Sequence, residues 1–508
     1  MLITEVLARH VAARGDHAFI LHEGRRVTYR EFERLTNQAA RALLALGVAK
    51  GDRVTLAMGN SVDYLVATFG ALKAGSIYNP VNPALGAREL GYVLRHAEPR
   101  VIVTDPANVR SLRAPGLALP PATRLAVFAP ADVGQASELV AFDQLLRDQP
   151  ETPPPVSLVD DDPSTLLYTS GTTGNPKGVL FHHGRTGAAG QHFLDALAIT
   201  ADDTILAVTP LFHGNAWGAV GTALQAGGTV AFPRAFSASE FWPLVHQTRA
   251  TVLYTLGTIL AILLTREPGA GERTSSLRVI LGLGSAPIRD EIIRRFSVID
   301  VAECFGSTDA GVVTITPLGA RPRPGSCGPP VANVTVRIVD DGGRPLPARA
   351  VGEIIIRSPH CMTAYFRDPE ATAQALRDGW FYTGDLGYLD EDGWLYFVDR
   401  KRDVIRRGGE NVSSVLVEKT LREHPCVLEV AVIGIPDPVL GQEIKAFVVA
   451  KAPVTAAELT EFAAARLARF QVPRLWEFRD ALPKTPTQRV EKYKLRKESG
   501  GSDTGLLA

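Results

Sequence analysis

The chain has few of the residues that mark disulfide-rich or metal-binding proteins. Only four cysteines and three methionines occur among 508 residues. The cysteines are widely separated and form no C-x-x-C pair: Cys304, Cys327, Cys361 and Cys426. This spacing argues against a disulfide framework or a zinc site and is typical of reduced thiols in a cytosol. We therefore expect a cytoplasmic protein.

The sequence also lacks an excess of either charge and a long apolar run. Lys plus Arg and Asp plus Glu both number 54, so nothing global favours nucleic acid or an acidic membrane surface. No apolar run is long enough to span a bilayer. The N-terminus lacks the basic and apolar regions of a signal peptide, and the C-terminal Gly-Leu-Leu-Ala is not a peroxisomal address. We expect neither nucleic-acid binding nor membrane insertion.

Strand-like and helical patterns alternate along most of the chain. A capping box begins at Thr28, and the helical apolar pattern after it ends at Gly47. Residues 53–58 and 100–105 are typical of buried strands, and residues 62–74 of a helix between them. Alternating strands and helices predict parallel sheets covered by helices, which is an α/β fold.

The pattern changes twice in the C-terminal part of the chain. After about residue 330, short strands separated by turns predict a small β-subdomain, and from about residue 400 a compact α+β unit follows. A chain of 508 residues is also too long for one ordinary domain. We predict a large N-terminal domain over residues 1–399 and a small C-terminal domain over residues 400–508.

A loop rich in glycine and hydroxyl groups lies between two apolar segments. Residues 168–178 read YTSGTTGNPKG, with five hydroxyl side chains, three glycines and one lysine. Glycines let backbone N–H groups turn toward an anion, hydroxyls add donors, and Lys177 adds a charge. The spacing is not that of Walker A. We predict a phosphate-binding loop; the alternative is a flexible linker, although linkers seldom separate two apolar strands.

This loop resembles the signature of the adenylate-forming superfamily, which contains acyl-CoA synthetases, luciferases and peptide-synthetase adenylation domains. Those enzymes join a carboxylate to AMP and then pass the acyl group to a thiol. Further similar segments extend from about residue 28 to about residue 496. The resemblance implies an acid–thiol ligase that uses ATP or acyl-AMP, Mg²⁺ and coenzyme A. It also implies a mobile C-terminal lid with a hinge near residues 400–403, at Arg402.

Several segments resemble the family's nucleotide-binding motifs. The resemblance assigns Phe305 to adenine stacking, Thr308 to the α-phosphate, and Asp309 to Mg²⁺, where the family has a glutamate. Asp385 would accept hydrogen bonds from the ribose, assisted by Arg400. Lys177 and Thr308 are also assigned as catalytic. The other nucleotide-binding assignments are Thr169, Ser170, Gly171, Thr172, Thr173, Gly174, Gly284, Ser285, Ala286 and Gly306. Plain turns with exposed acids are the alternative for both aspartates.

Two further segments resemble the acyl and CoA sites of the family. The acyl pocket is assigned to Phe212, His213 and Trp217. His213 is also assigned as catalytic, because it would flank the carboxylate or close the CoA tunnel, although a lone histidine is often structural. Basic residues and glycines are assigned to CoA, because its phosphates need Arg or Lys: Arg406, Arg407, Gly408 and Gly409. The alternative is that this basic cluster is a solvent-exposed helix start that binds no ligand.

The acyl segment has no acidic residue of the kind that holds an α-amine in amino-acid-activating relatives. An amine-free, apolar carboxylic acid is therefore expected. Gly311 and the valines after it are expected to leave room for a large acid, and a polycyclic terpenoid-type acid is one candidate.

The last motif departs from the family. Residues 482–496 follow the pattern P-[KR]-T-x-x-G-K-[IV], but Gln488 stands for the glycine and Arg489 for the lysine. The resemblance implies that the lysine stabilises charge during adenylation and is not used for thioester formation. Arginine keeps the charge but is planar and bulkier. The hypothesis is a catalytic Arg489 that adenylates poorly, so that a separate enzyme supplies the acyl-adenylate.

Other functions stay open at this stage. Arg489 could do the work of the lysine in an ordinary two-step ATP-dependent synthetase. A non-catalytic acyl-adenylate-binding protein would bind adenylate and make no thioester. A luciferase-like oxygenase would consume oxygen, and a peptide-synthetase loading domain would transfer the acyl group to a carrier protein, which is not found in this chain.

Overall fold

The computed structural model describes most of the chain. The described residues are 1–114, 117, 119–128, 139–169, 176–269, 271–283, 285, 288–321, 323–401, 403–407, 410–484 and 490–499. The chain forms two compact units: the first has residues 1–169, 177–334 and 358–374, and the second has mainly residues 335–357 and those from 375 onward. The predicted boundary at residue 399 and the hinge stay predictions.

The helices of the described residues, in chain order, are α1 Ile3–Arg14, α2 Tyr29–Ala45, α3 Val62–Lys73, α4 Ala87–Ala97, α5 Pro106–Leu112, α6 Phe142–Arg147, α7 His183–Gly187, α8 Gln191–Ala196, α9 Gly214–Ala226, α10 Phe241–Thr248, α11 Gly257–Leu264, α12 Arg289–Phe296, α13 Pro369–Ala375, α14 Ser414–Arg422, α15 Ala456–Ala464 and α16 Lys492–Glu498.

The strands of the described residues, in chain order, are β1 Ala18–His22, β2 Arg25–Thr28, β3 Arg53–Ala57, β4 Ile77–Pro80, β5 Val101–Thr104, β6 Arg124–Val127, β7 Leu139–Ala141, β8 Pro163–Tyr168, β9 Gly178–His182, β10 Thr204–Ala207, β11 Thr229–Ala231, β12 Val252–Leu256, β13 Val279–Leu283, β14 Asp300–Ala302, β15 Cys304–Ser307, β16 Gly311–Ile315, β17 Thr335–Val339, β18 Gly352–Arg357, β19 Ala364–Tyr365, β20 Leu376–Arg377, β21 Trp380–Leu389, β22 Leu395–Arg400, β23 Ile405–Arg407, β24 Glu410–Val412, β25 Val427–Asp437, β26 Gly441–Ala450 and β27 Leu475–Phe478.

Two large sheets form the first unit. Within the described residues, one has the strand order β14-β13-β12-β10-β11-β1-β2 and the other β19-β9-β8-β4-β3-β5-β6-β7. Their central strands are parallel, and the β1–β2, β8–β9 and β9–β19 pairs are antiparallel. The predicted α/β class with parallel sheets is confirmed. The β15–β16 hairpin is antiparallel and adjoins this core.

Helices α2, α3 and α9 pack in the core that the two sheets share. Phe32 of α2 and Phe69 of α3 meet edge to face with ring centroids 5.0 Å apart. Trp217 of α9 lies 6.0 Å from the Phe69 ring. Phe32 and Phe69 belong to an apolar cluster that includes side chains from both sheets, and Trp217 packs against it. Burial of this apolar surface is the main stabilising contribution to the unit.

The predicted start of α2 is only partly as expected. The Thr28 hydroxyl accepts a hydrogen bond from the Glu31 N–H at 3.1 Å, which is the expected N-cap. The Glu31 carboxylate, however, pairs with Arg25 at 3.2 Å, because the β1–β2 hairpin places Arg25 next to it. Only the Thr28 half of the expected capping box is therefore present. The helix ends at Ala45, and Gly47 follows with a φ of +79°.

The second unit contains two smaller sheets. One has the order β17-β18-β21-β20 with β22 beside β21, and the other has β24-β23-β26-β25 with β27 beside β26. Helices α14 and α15 contribute Val417, Leu421 and Leu459 to the core of the second sheet. The predicted short strands after residue 330 and the α+β pattern after residue 400 are both present. No helix in the described part of the chain is long and apolar enough to cross a membrane.

Candidate functional site

The predicted phosphate-binding loop joins the antiparallel strands β8 and β9. Tyr168 pairs with Gly178 where the strands meet the loop. The Thr169 N–H donates to the Lys177 carbonyl at 3.0 Å, so the loop begins and ends at one place. Strand β8 is also parallel to β4, and ligands of parallel sheets bind beyond the carboxyl ends of the strands. Residues 170–175, with five of the predicted nucleotide-binding residues, lie outside the described part.

Lys177 and Asp309 are brought to the same aromatic side chain. The Lys177 Nζ lies 4.7 Å from the centroid of the Tyr365 ring. The Tyr365 hydroxyl donates to Asp309 Oδ1 at 2.8 Å. Lys177 is exposed, and Asp309 and Tyr365 are half-buried. A cation and a carboxylate separated by one phenol form a site that a metal-bound polyphosphate could use.

Arg185 holds the backbone of the turn that carries Thr308 and Asp309. Its Nη2 donates to the Thr308 carbonyl at 3.2 Å, and its guanidinium lies 3.4 Å from the Phe181 ring centroid. Burial lowers the pKa of Arg185 to about 9, so it is charged at neutral pH. Thr308 is exposed beside this turn.

Gly311 begins β16 beside Arg185 and His360, and its expected contribution of space for a large acid stays a prediction. Its φ is +73°, which favours glycine. A Cβ at this position would lie 3.2 Å from Arg185 Nη2 and 3.3 Å from the His360 carbonyl oxygen. Val313, two residues later, is fully buried. Gly311 therefore has a backbone conformation that favours glycine, and a larger side chain would crowd the groups beside it.

The predicted adenine segment lies on the β15–β16 hairpin and at the end of β13. Phe305 is half-buried, and its N–H donates to the Thr314 hydroxyl at 3.2 Å. Gly306 is exposed. The buried Ser285 hydroxyl donates to Glu303 Oε1 at 2.6 Å, which fixes the end of β13 against the hairpin. Gly284 and Ala286 lie outside the described residues.

The predicted acyl segment forms the entry to α9. His213 is the N-cap of this helix, and its ring nitrogen accepts a hydrogen bond from the Asn215 N–H at 3.4 Å. Burial lowers the pKa of His213, so the neutral form is favoured. Trp217 contacts the rings of Phe69 and Tyr78, each with centroids 6.0 Å away. Phe212 is half-buried against the same core.

Asn60 fixes the chain just before this acyl segment. Its amide nitrogen donates to the carbonyls of Thr209 at 3.3 Å and Pro233 at 3.2 Å. Its carbonyl oxygen accepts from the Leu211 N–H at 2.7 Å. The side chain is only 8 % exposed. All three contacts are buried or partly buried, so Asn60 sets where Phe212 leaves the sheet.

In the second unit, the structure brings the predicted ribose ligand and its assistant together. Asp385 and Arg400 are register partners on β21 and β22, and Arg400 Nε lies 3.7 Å from Asp385 Oδ1. The Asp385 N–H donates to the Thr383 hydroxyl at 3.0 Å. Asp399, next to Arg400, accepts from the Ser414 N–H at 2.6 Å. Both ends of this pair are therefore positioned by backbone contacts.

The predicted CoA-binding arginines differ in their surroundings. Arg406 is exposed, whereas the Arg407 side chain is only 5 % exposed. Arg407 Nη2 donates to Glu443 at 2.9 Å and Nη1 to the Phe470 carbonyl at 2.8 Å. Arg407 thus makes a buried ion pair within the second unit, and its role toward CoA stays a prediction. Gly408, Gly409 and the predicted hinge Arg402 lie outside the described residues.

The segments before and after the loop of the last motif are held by ion pairs and apolar contacts. Lys484 Nζ lies 2.6 Å from Glu429, and Lys492 Nζ lies 2.7 Å from Glu418. Leu482 and Leu495 are buried in one apolar cluster, with Val490 packed against it. The loop with Gln488 and Arg489 lies outside the described residues.

Known proteins resemble this chain along almost its whole length. A family model described as AMP-binding enzyme matches residues 7–366, and one described as AMP-binding enzyme C-terminal domain matches residues 416–489. The chain belongs to the AMP-binding enzyme family. A feruloyl-CoA synthase from an Amycolatopsis species is 34% identical over 488 residues, covering 95% of this chain and 96% of the relative.

Further relatives of this AMP-binding enzyme are also CoA ligases. A crotonobetaine/carnitine–CoA ligase of Escherichia coli O8 (strain IAI1) is 34% identical over 490 residues, covering 93% of each chain. The crystal structure of the anthranilate CoA ligase AuaEII with anthranoyl-AMP has a TM-score of 0.91 at 28% identity, covering 98% of this chain and 97% of that one. The chain is thus an AMP-forming acid–thiol ligase of the adenylate-forming superfamily, which acts through an acyl-adenylate and uses ATP or AMP and CoA.

Three residues of this site were missed by the sequence analysis. Tyr365, Arg185 and Asn60 contact predicted site residues or the chain beside them, yet none lies in a motif that was singled out. Tyr365 is 56 residues from Asp309, and Arg185 is 123 residues from Thr308. A tyrosine in a two-residue strand and an arginine after a histidine pair carry no local pattern that predicts a site role.

Proposed function

We propose that this AMP-binding enzyme forms a CoA thioester mainly from a pre-formed acyl-adenylate, and that its own adenylation step is slow. The observation that carries the proposal is Arg489 in place of the usual lysine. The buried positions of Leu482 and Leu495 around this loop support the motif register that assigns Arg489. A misplaced charge costs adenylation heavily, because displacements of about 1 Å can reduce rates by about 100-fold.

Mg²⁺ would neutralise the phosphates of ATP in the adenylation step. Within the described residues, no three His, Cys, Asp or Glu side chains gather as a ready metal cluster. Mg²⁺ often binds through one or two carboxylates, with phosphates and water as the other ligands. The half-buried carboxylate of Asp309 fits that role, with one of its oxygens accepting from Tyr365. Aspartate is shorter than the family's glutamate, which adds to the burden on adenylation.

The acyl substrate of the proposal is an apolar carboxylic acid without an α-amine. The segment before α9 offers aromatic side chains and a histidine whose pKa is lowered by burial. Phe212 and Trp217 both pack against the apolar core of the first unit. A neutral imidazole and aromatic walls suit an apolar acid better than a zwitterion. Ferulate and anthranilate analogues and larger polycyclic acids form the first panel.

Replacing Arg489 tests the proposal. Arg489→Lys is expected to raise pyrophosphate release from free acid, ATP and Mg²⁺ by at least about tenfold. Thioester formation from supplied acyl-adenylate and CoA is expected to change by less than about twofold, because the lysine acts only in the first step. Arg422→Lys, an exposed arginine on α14, is the matched control.

The opposite results assign one of the other functions. Pyrophosphate release that is flat or lower in Arg489→Lys would mean that Arg489 already performs the lysine's role in an ordinary two-step synthetase. Tight binding of acyl-adenylate without any thioester, in the wild type, would instead indicate a non-catalytic adenylate-binding protein. Thioester formed from supplied adenylate only is the result that the proposal expects, and it would direct the search to a partner enzyme that adenylates the acid.

A further inference from the structure

Tyr365 contacts both charged side chains that the nucleotide site is proposed to use. Its ring face lies under the Lys177 ammonium, with Nζ 4.7 Å from the centroid. Its hydroxyl donates to Asp309 Oδ1 at 2.8 Å. A hydrogen bond from a neutral donor to a carboxylate is stronger than one between neutral groups. One side chain therefore links the end of the phosphate-binding loop with the proposed metal ligand.

The backbone around Tyr365 fixes this geometry from three directions. Strand β19 pairs antiparallel with β9, and Tyr365 lies opposite Val179, two residues after Lys177. The Met362 N–H donates to the Asp309 carbonyl at 2.7 Å, so the segment also holds the turn of the β15–β16 hairpin. The Tyr365 N–H donates to the Thr372 hydroxyl at 2.9 Å. The phenol is thus carried on a backbone that is joined to both of its partners.

The two ends of the Tyr365 side chain suit the two partners that they contact. The half-buried phenol donates its proton to the Asp309 carboxylate, which can only accept when it is ionised. The ring face is electron-rich, so a cation above it is stabilised.

We propose that Tyr365 is a positioning residue for the metal-bound nucleotide, with its hydroxyl orienting Asp309 toward Mg²⁺ and its ring orienting Lys177 toward the phosphates. This inference rests on the proposed roles of Asp309 and Lys177. It does not rest on Arg489, because binding of ATP precedes the chemistry that Arg489 affects. Partners that orient a metal ligand typically contribute 10- to 100-fold to metal affinity.

The two contacts of Tyr365 can be separated by substitution. Tyr365→Phe removes the hydroxyl and keeps the ring, whereas Tyr365→Leu removes both. Binding of ATP is measured calorimetrically with and without Mg²⁺, so the readout does not depend on turnover. Tyr365→Phe is expected to weaken Mg²⁺-dependent binding by about tenfold and metal-free binding by less than about twofold. Tyr365→Leu is expected to weaken metal-free binding as well, by about threefold.

Matched variants make the outcome specific. Tyr396→Phe removes another phenol that donates to a carboxylate, Asp390 at 3.3 Å in the second unit, and is expected to leave ATP binding unchanged. Thermal unfolding of each variant checks that the fold is kept. If Asp309→Asn weakens Mg²⁺-dependent binding and Tyr365→Phe does not, Tyr365 has no positioning role. If Asp309→Asn itself has no effect, the assignment of Asp309 fails and the inference falls with it.

Discussion

His183 is the first residue of α7, the short helix that also carries Arg185, and its side chain is fully buried. Neither ring nitrogen has a hydrogen-bond partner in the described part of the chain. Burial lowers the pKa of His183 to about 4, with Asp162 and Asp160 opposing the shift and Lys50 and His182 adding to it. The folded protein therefore keeps the His183 imidazole neutral, whereas in the unfolded chain this imidazole has a pKa near the ordinary histidine value of about 6.5.

This difference predicts a stability that depends on pH. The contribution of neutral His183 is complete above about pH 6.5 and is lost as the pH falls toward about 4. Over that window the free energy of unfolding is expected to fall by up to about 1.4 kcal/mol per pH unit for this one proton. Denaturant unfolding of the wild type at pH 7.5, 6 and 5 measures the slope.

Replacement of the histidine isolates its share of that slope. His183→Gln cannot titrate, so its stability is expected to fall less between pH 7.5 and pH 5 than that of the wild type. His424→Gln, a half-buried histidine of the second unit, controls for the substitution itself. Equal slopes in His183→Gln and the wild type would contradict the buried neutral histidine.

Single site residues could be found from the sequence when they lie in a short motif. Lys177 and Asp309 stand in contiguous glycine-rich or aromatic signatures whose chemistry is readable from neighbours in the chain. Tyr365 and Arg185 act through contacts 56 and 123 residues away, which only the folded chain creates. Arg407 illustrates the opposite error. The sequence shows it as one member of a basic cluster, but it does not reveal that Arg407 is buried in an ion pair with Glu443.

The entry to α9 depends on a hydrogen-bond set centred on Asn60. Removing this side chain leaves the Leu211 N–H and the Thr209 carbonyl without their partner, and each buried orphan group costs about 1–3 kcal/mol. Asn60→Ala is therefore expected to lower stability and to let the Phe212–His213 segment shift. The KM for a supplied acyl-adenylate is expected to rise by about tenfold.

A second buried asparagine provides the control for this prediction. Asn37 on α2 donates to the Glu151 carbonyl at 2.8 Å and accepts from Lys73 at 2.6 Å, in a different part of the first unit. Asn37→Ala is expected to lower stability without changing the KM. A similar KM in Asn60→Ala and the wild type would show that the acyl segment does not depend on Asn60.

Secondary structure was predictable where burial imposes a pattern. Predicted strands at 53–58 and 100–105 correspond to β3 and β5. Both are buried along most or all of their length and are therefore rich in apolar residues. The β19 strand has two residues, too short for any period-two pattern, yet it carries Tyr365. His213 illustrates a different limit, since a histidine at a helix N-cap looks the same in sequence as one that touches a ligand.

The order of elements in the whole chain was also readable from sequence, since alternating patterns predicted parallel sheets and the change near residue 330 predicted smaller strands. The alternating sequence patterns do not predict that residues 335–357 and those from 375 onward form one compact unit. That grouping comes from antiparallel pairing of β18 with β21, a contact between distant segments. The lid motion itself stays a prediction.

The most direct measurement compares the two half-reactions on one preparation of the wild-type enzyme. One assay supplies free acid, ATP, Mg²⁺ and CoA and follows pyrophosphate; the other supplies the matching acyl-adenylate and CoA and follows thioester. Slow adenylation predicts that thioester forms from the adenylate about 100-fold faster than pyrophosphate is released from the acid. Comparable rates would contradict this prediction and identify Arg489 as a full substitute for lysine.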